Sequence, residues 1–173
     1  MRHSDSGTTG RDRQPMTFLE WERSIDTLAD SPERAARLIE GMPAERLTAV
    51  SGPGRWSAAE VVCHLRDSDR DVLVPRLARF LAEVEPHFEG VDLTALERIR
   101  TYAGVDAGIA LTEWQTRRAE AVVTLQTLGR RDWERLGFHP ERGPYTLGDL
   151  VRAFVEHDVS HLHQLAGALR ASA

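Results

Sequence analysis

Two histidines near the C-terminus, His157 and His161, have the spacing and chemistry of a pair of metal ligands. They lie four residues apart, and a helix of 3.6 residues per turn places such residues about 6 Å apart on one face. Two imidazoles in this arrangement can share a divalent metal, and a third ligand would complete the site. The best candidate for that ligand is His64.

The helix that carries this pair must turn both rings toward the protein interior. At 100° per residue both histidines fall toward one side of an apolar face, whereas His163 falls nearly opposite and is excluded as a ligand. His64 lies at the margin of the apolar face of its own helix. A simpler interpretation stays open, because an inward histidine is usually a hydrogen-bonded core residue. The apolar face comprises Leu147, Leu150, Val151, Phe154, Leu162 and Leu165.

Three neutral imidazoles with an open fourth position are typical of catalytic zinc sites, and they also suit nickel, iron or manganese. Other chemistries are excluded by composition. All 22 basic residues are arginine, so a Schiff-base lysine and a P-loop lysine are impossible. Cys63 is the single cysteine, which predicts a reducing cytoplasm and a buried, inert thiol.

Length and charge indicate one ordinary globular domain. The chain has 173 residues and a formal net charge of −5, so its field would repel nucleic acid and anionic membranes. Residues 1–16 are polar and lack the apolar run of a signal peptide or membrane span. We expect a disordered tail over residues 1–16 and a folded domain over residues 17–173, with a homodimer as an open possibility.

Apolar spacing predicts four long helices. The first follows Thr17 and is expected to restart or kink at Pro32. The second opens with a capping box at Ser57 and should bend at Pro75. The second, third and fourth helices are predicted over residues 57–84, 110–128 and 146–170.

Two long connections, residues 85–108 and 133–145, are rich in glycine and proline and are predicted to be irregular. No window of the sequence alternates apolar and polar residues persistently enough to require a sheet. The predicted fold is therefore all-α, an antiparallel four-helix bundle with long loops between helices 2 and 3 and between helices 3 and 4. In the first loop, Arg100 and Tyr102 could clamp a substrate carboxylate, although surface positions are the simpler interpretation.

Three polar residues could support the histidines. Asp67 could accept a proton from the free ring nitrogen of the second-helix histidine, or could be an exposed helix acid. Asp158 falls near the centre of an apolar face, so it should pair with an arginine or another donor. Gln164 could position a ligand or bond to a loop. Isolated loop histidines without matching ligand spacing are His87 and His139.

Two segments resemble the signatures of the DinB-like (YfiT-type) superfamily of bacterial metal-binding four-helix bundles. They are residues 54–65, with a tryptophan-serine-helix-His-Leu order, and residues 157–161 followed by Gln164. The resemblance covers roughly residues 17–168. It implies a bundle in which the three histidines form a metal site that commonly holds zinc or nickel.

The resemblance also implies chemistry on small molecules, because the superfamily includes transferases that use low-molecular-weight thiols such as bacillithiol or mycothiol. The leading hypothesis is a cytoplasmic, metal-dependent thiol transferase. One alternative is a hydrolase in which the metal activates water and Asp67 or Asp158 accepts a proton. Another is a noncatalytic metal-binding or interaction bundle.

Overall fold

The computed structural model describes residues 15–90, 102 and 104–171. The predicted tail lies outside the described residues except for its last two positions. Of these, Met16 is 7% exposed and packs in the same apolar cluster as Leu147, so the packed domain includes it.

Four long helical stretches form the molecule, and the predicted all-α four-helix bundle is confirmed. None of the described helices is both long and apolar enough to cross a bilayer. The helices are α1 (Phe18–Ile39), α2 (Ala44–Thr48), α3 (Ala58–Ser68), α4 (Val74–Ala82), α5 (Ala107–Gln126), α6 (Arg130–Trp133) and α7 (Leu147–Ala171).

The predicted capping box at Ser57 is present. The hydroxyl of Ser57 accepts from the backbone N–H of Glu60, whose carboxylate accepts from the N–H of Ser57. Thr146 and Asp149 make the same exchange before α7. These side chains satisfy backbone donors that the first turn of a helix leaves free.

Pro32 does not restart α1, because the helix runs through it from end to end. Proline has no N–H, so the carbonyl of Leu28, four residues earlier, loses its partner within the helix. A side chain of another helix takes the vacant place: Nη1 of Arg118 on α5 donates to the Leu28 oxygen at 2.9 Å. The proline therefore provides an anchoring point for α5.

The second long helix departs from regularity just before Pro75, where a π-helical segment, Asp69–Leu73, joins α3 to α4. The N–H of Val74 bonds to the carbonyl of Asp69, five residues back. An uninterrupted α-helix would set Phe80 about 100° away from Val61 around the axis. Because a π turn holds an extra residue, it takes up most of that difference and keeps both side chains in the core.

The four long stretches run up, down, down, up. One apolar cluster joins the beginnings of α1 and α7 to the end of α5 and to α4. A second cluster joins the ends of α1 and α7 to the beginning of α5 and to α3. Consequently α1 and α7 are parallel neighbours, as are α3 and α5, whereas α1 and α3 are antiparallel and lie diagonally. A long connection between α4 and α5 makes this order possible.

The prediction of a plain loop over residues 133–145 is wrong. The segment begins at the last residue of α6 and forms an antiparallel hairpin of β1 (Leu136–His139) and β2 (Gly143–Thr146). Gly137 is required there, since a Cβ would lie 2.9 Å from carbon atoms of both Phe80 and Phe88. Four-residue strands are too short to show a period-2 pattern in the sequence.

Candidate metal centre

Three imidazoles from two helices converge at mid-height in the bundle. His64 on α3 and His157 and His161 on α7 each offer a ring nitrogen, and these nitrogens all lie within 4.8 Å of one another. The Nε2 atoms of His64 and His157 are 3.0 Å apart. The structure therefore brings together all three histidines that the sequence singled out.

The surroundings of the cluster favour the neutral form of two of its imidazoles, those of His64 and His161. Burial, followed by the nearby rings of His161 and His157, lowers the pKa of His64 to about 3. Burial and His157 also lower the pKa of His161. Neutral imidazole is the form that binds a metal, because its unprotonated nitrogen carries the lone pair.

Gln164 fixes the orientation of one ring, as a partner that positions a ligand would. Its Oε1 lies 2.7 Å from Nδ1 of His161. Since an amide oxygen only accepts, Nδ1 carries the proton and Nε2 keeps its lone pair. Of the two roles considered for Gln164, this bond supports the positioning of a ligand and not a hydrogen bond to a loop.

His157 has a less complete arrangement. Its buried Nδ1 has no hydrogen-bond partner, and the nearest carboxylate oxygen, Oδ1 of Asp158, is 3.6 Å away. With Nε2 directed at His64, the proton of the neutral ring belongs on Nδ1 whenever Nε2 serves as a ligand. Asp158 would then stabilise that proton electrostatically.

Asp158 pairs with an arginine, as its place on the apolar face predicted. Arg118 donates through Nη1 and Nη2 to Asp158 and, in a two-pronged contact at 2.7 and 2.8 Å, to Asp69. All three residues are at most 1% exposed. Burial raises the pKa of Asp69. Burial also acts to raise the pKa of Asp158, but Arg118 and His157 outweigh it, so the pKa of Asp158 is lowered.

Sequence reasoning missed three neighbours of the histidines. Trp56 stacks on His161 with ring centroids 6.1 Å apart and meets His64 edge-on at 5.0 Å. Ser68 Oγ lies 3.5 Å from the Nε2 atoms of both His64 and His157. Ser68 follows His64 by four residues, so the spacing rule that paired the C-terminal histidines could have found it. No comparable signal distinguished Arg118 from the other arginines.

Asp67 is held by several cations and a phenol. Its Oδ1 accepts from Arg66 at 2.8 Å and lies 3.1 Å from Arg70, while its Oδ2 accepts from the hydroxyl of Tyr102 at 3.2 Å. Asp67 is 5% exposed, so it is not a surface acid. Its proposed bond to His64 stays a prediction, and Arg100, the suggested partner of Tyr102, lies outside the described residues.

Cys63 is fully buried, as expected, and burial raises the pKa of its thiol to about 11. It is therefore protonated and inert near neutral pH.

A cleft of about 240 Å³ opens beside the histidines and is lined by His157 and Ser68. Its other walls come from α4, α7 and the hairpin, so the segment that was predicted to be a loop shapes it. Through His157, the cleft joins the histidine cluster to space for a small molecule.

The donor set fits a divalent ion. Nitrogens 3.0 Å apart can both reach one ion at the usual Zn–N distance of about 2.0–2.1 Å. Gln164 accepts the Nδ1 proton of His161, which leaves Nε2 free as a metal-bound imidazole requires, and the carboxylate of Asp158 lies 3.6 Å from Nδ1 of His157.

Comparison with known proteins places this arrangement in context. The profile of the DinB superfamily matches residues 27–165. YfiT of Bacillus subtilis, named as a candidate metal-dependent hydrolase, is 23% identical over 158 residues, which cover 89% of this chain and 88% of YfiT. A protein of Oceanobacillus iheyensis with the same kind of name is 25% identical over 144 residues, 83% of this chain and 80% of its own length.

The solved structure of Bacillus subtilis YfiT has the same fold. Superposition gives a TM-score of 0.82 with 22% sequence identity, over 94% of this chain and 93% of that one. That structure is described as a four-helix bundle of unusual topology, in keeping with the up, down, down, up order found here.

Proposed function

This chain belongs to the DinB superfamily, and from that premise we propose that it is a metal-dependent enzyme that acts on small molecules. The observation that carries the proposal is the convergence of three imidazoles, one of which, that of His157, lines a cleft. We propose further that the reaction couples a low-molecular-weight thiol to a small electrophile.

His64, His157 and His161 would hold the ion, zinc or nickel, and Gln164 would keep the His161 ring in the tautomer that binds it. The ion supplies Lewis acidity that favours the ionised form of a thiol. In the transfer, sulfur bonds to the electrophilic carbon, the leaving group departs with the electrons of the broken bond, and the thiol proton passes to water. The residues around the cleft orient the two reactants.

Thiol transfer suits this site because it does not need a protein base. A free thiol has a pKa of about 8.5, whereas water has one of about 15.7. The buried carboxylates near the rings are already engaged, Asp69 and Asp158 by Arg118 and Asp67 by Arg66. A bound metal would also lower the pKa of water, to about 7, but a hydrolase would still need one of these carboxylates to pass a proton to the leaving group.

Hydrolysis is the second candidate, and the names of the two relatives favour it. In that reaction water would attack a carbonyl carbon, and the leaving group would take up a proton. Release of product from esters, amides or lactones without added thiol would support hydrolysis over transfer.

The first experiment is elemental analysis of protein purified without a nickel column. We expect about one divalent ion per chain in the wild type and loss of that ion in His64→Ala, His157→Ala and His161→Ala. The matched control is His163→Ala, because His163 is exposed on the other side of α7. Retention of the ion in the three site variants would contradict the metal centre.

The second experiment tests the reaction. Metal-loaded protein is incubated with bacillithiol or mycothiol and monochlorobimane, and conjugate is measured by fluorescence. We expect conjugation that His161→Ala abolishes. Metal binding without conjugation or hydrolysis across the panels, with a lower melting temperature after chelation, would favour a noncatalytic bundle. The homodimer and the cytoplasmic location stay predictions, to be checked by light scattering and cell fractionation.

A further inference from the structure

The cleft beside the metal centre has a cationic wall as well as the side that His157 and Ser68 line. Arg76 of α4 and Arg142 of the hairpin turn both line it, together with His139 and Tyr145. Its volume of about 240 Å³ is below the range of drug-sized pockets, about 300–1,000 Å³. The space within the cleft therefore suits a small molecule or one end of it.

The two guanidinium groups of this wall are not neutralised by ion pairs within the described part of the chain. Arg76 donates to the carbonyl of Glu89 at 3.1 Å and lies 5.5 Å from the centre of the Phe88 ring. Burial, and then the charge of Arg142, lower the pKa of Arg76. One carboxylate, that of the exposed Glu141, lines the same cleft, which leaves a net positive charge.

Tyr145 adds a hydroxyl group to this wall. The residue is 7% exposed, and although Arg76 lies beside its hydroxyl oxygen, the hydroxyl proton has no acceptor. A buried hydroxyl proton without an acceptor is unfavourable, so at the edge of a cleft it is suited to donate to a bound ligand. Burial raises the pKa of this phenol, which therefore offers a proton rather than a negative charge.

His139 contributes a further donor, although its position in the sequence does not match the spacing of the metal ligands. Its Nδ1 accepts from the backbone N–H of Glu141 at 3.2 Å. Burial, Arg76 and Arg142 lower its pKa, so the ring is neutral and its single proton lies on Nε2. The wall thus combines two guanidinium groups, a phenol and an imidazole N–H, all of them donors.

We propose that this wall, formed by Arg76, His139, Arg142 and Tyr145, binds the anionic group of a small substrate, a carboxylate or a phosphate. The inference rests on the proposed function in one respect: Ser68 and His157 line the same cleft, so a substrate held by its anionic end extends toward the imidazoles. Bidentate donors such as arginine suit both carboxylate and phosphate.

The test measures binding rather than turnover. Isothermal titration with inorganic phosphate and with succinate is carried out on metal-free and zinc-loaded protein, for the wild type, Arg142→Gln, Arg76→Gln and Tyr145→Phe. The matched control is Arg131→Gln, because Arg131 is exposed and does not line the cleft. Circular dichroism and thermal melting verify the fold of each variant.

We expect at least one anion to bind both forms of the wild type. Each arginine substitution should weaken binding about tenfold, Tyr145→Phe severalfold, and Arg131→Gln should leave it unchanged. The relative affinities for phosphate and succinate identify the preferred group. Arg142 is exposed, so its variant tests the proposal even if Arg76→Gln fails to fold.

The proposal is overturned if neither anion binds, if Arg142→Gln binds as the wild type does, or if binding requires zinc and is insensitive to Arg142. Its failure is distinguishable from that of the proposed function. Anion binding by a protein that retains no metal would support the anion site and count against the metal enzyme. Metal binding without anion binding would do the reverse.

Discussion

The two apolar clusters of the bundle and the polar layer between them are held together differently. The clusters occupy the two ends of the bundle, and each of the four long helical stretches contributes apolar residues to both clusters. The layer lies between them and contains the three histidines, Ser68 and the ionic group of Arg118, Asp69 and Asp158. An apolar side chain tolerates many neighbours, whereas the guanidinium of Arg118 is satisfied only where two carboxylates and a carbonyl meet it.

This difference separates stability from alignment. The clusters exclude water and supply most of the free energy of folding. Buried ion pairs add little net stability, because desolvation offsets their attraction, but removing one partner is costly. We therefore expect the layer to fix how α5 and α7 align with α3, and so to keep His64 opposite His157.

The largest effect is expected when Arg118 is removed. Arg118→Met leaves two buried carboxylates without their cation, so the free energy of unfolding should fall by about 3–5 kcal/mol. Urea denaturation provides the measurement. Leu125→Ala, which removes side-chain volume from a neighbouring apolar cluster, should lower the free energy of unfolding by a similar amount, about 2–5 kcal/mol. Leu125→Ala should leave zinc affinity unchanged, whereas Arg118→Met should lower it.

A triple variant sharpens this prediction. If Arg118→Met, Asp69→Leu and Asp158→Leu are combined, no unpaired charge remains, and much of the lost stability should return. Zinc affinity should stay low, since His157 loses its carboxylate neighbour. A triple variant as unstable as Arg118→Met alone would show that packing, and not unpaired charge, causes the loss.

The next effect is a dependence of stability on pH. Folding lowers the pKa of His64 from its ordinary 6.5 to about 3. Between these two pH values His64 is therefore protonated in the unfolded chain and neutral in the folded chain. Stability is thus unaffected above pH 6.5 and falls as the pH decreases toward 3. Between pH 7 and pH 5, His64 should account for a loss of about 2 kcal/mol.

Chelated protein, unfolded with urea at several pH values, gives this dependence. His64→Asn, which cannot titrate, should reduce the slope, with His163→Asn as an exposed control. Equal slopes in the wild type and His64→Asn would contradict the assignment of a neutral, buried His64.

The smallest effect concerns the bond of Gln164 to His161. Gln164→Leu should weaken zinc binding about tenfold, because the ring loses the acceptor that fixes its tautomer. Gln164→Glu keeps an acceptor at the same place and should bind zinc at least as well as the wild type. Competition with a zinc-responsive dye measures both affinities; a similar loss in the two variants would contradict the role of the acceptor.

The same contrast explains what the sequence could predict. Helical period identified the apolar faces, and the rotation argument placed Asp158 inward and in need of an arginine, as the structure confirms. Which arginine is a question of tertiary contact, and Arg118 has no local signature. Asp69 was missed although the same rule reaches it, because it follows Leu65 by four residues and Val62 by seven and so falls on the buried face of α3.

The candidate site divides in a similar way. The three histidines were found from spacing and resemblance, because a ligand pair on one helix leaves a local pattern. The cleft could not be found, since its wall depends on a hairpin of two four-residue strands packed against Phe80. That packing joins residues far apart in the chain, and no window of the sequence contains it.

His64 and His157 are separated by 93 positions along the chain. An ion bound by both would close a loop of that length, as a disulfide does, and would restrict the unfolded chain more than it restricts the folded one. During synthesis the first ligand emerges long before the other two. The centre is therefore complete only after α7 has docked, so metal capture follows the assembly of the bundle.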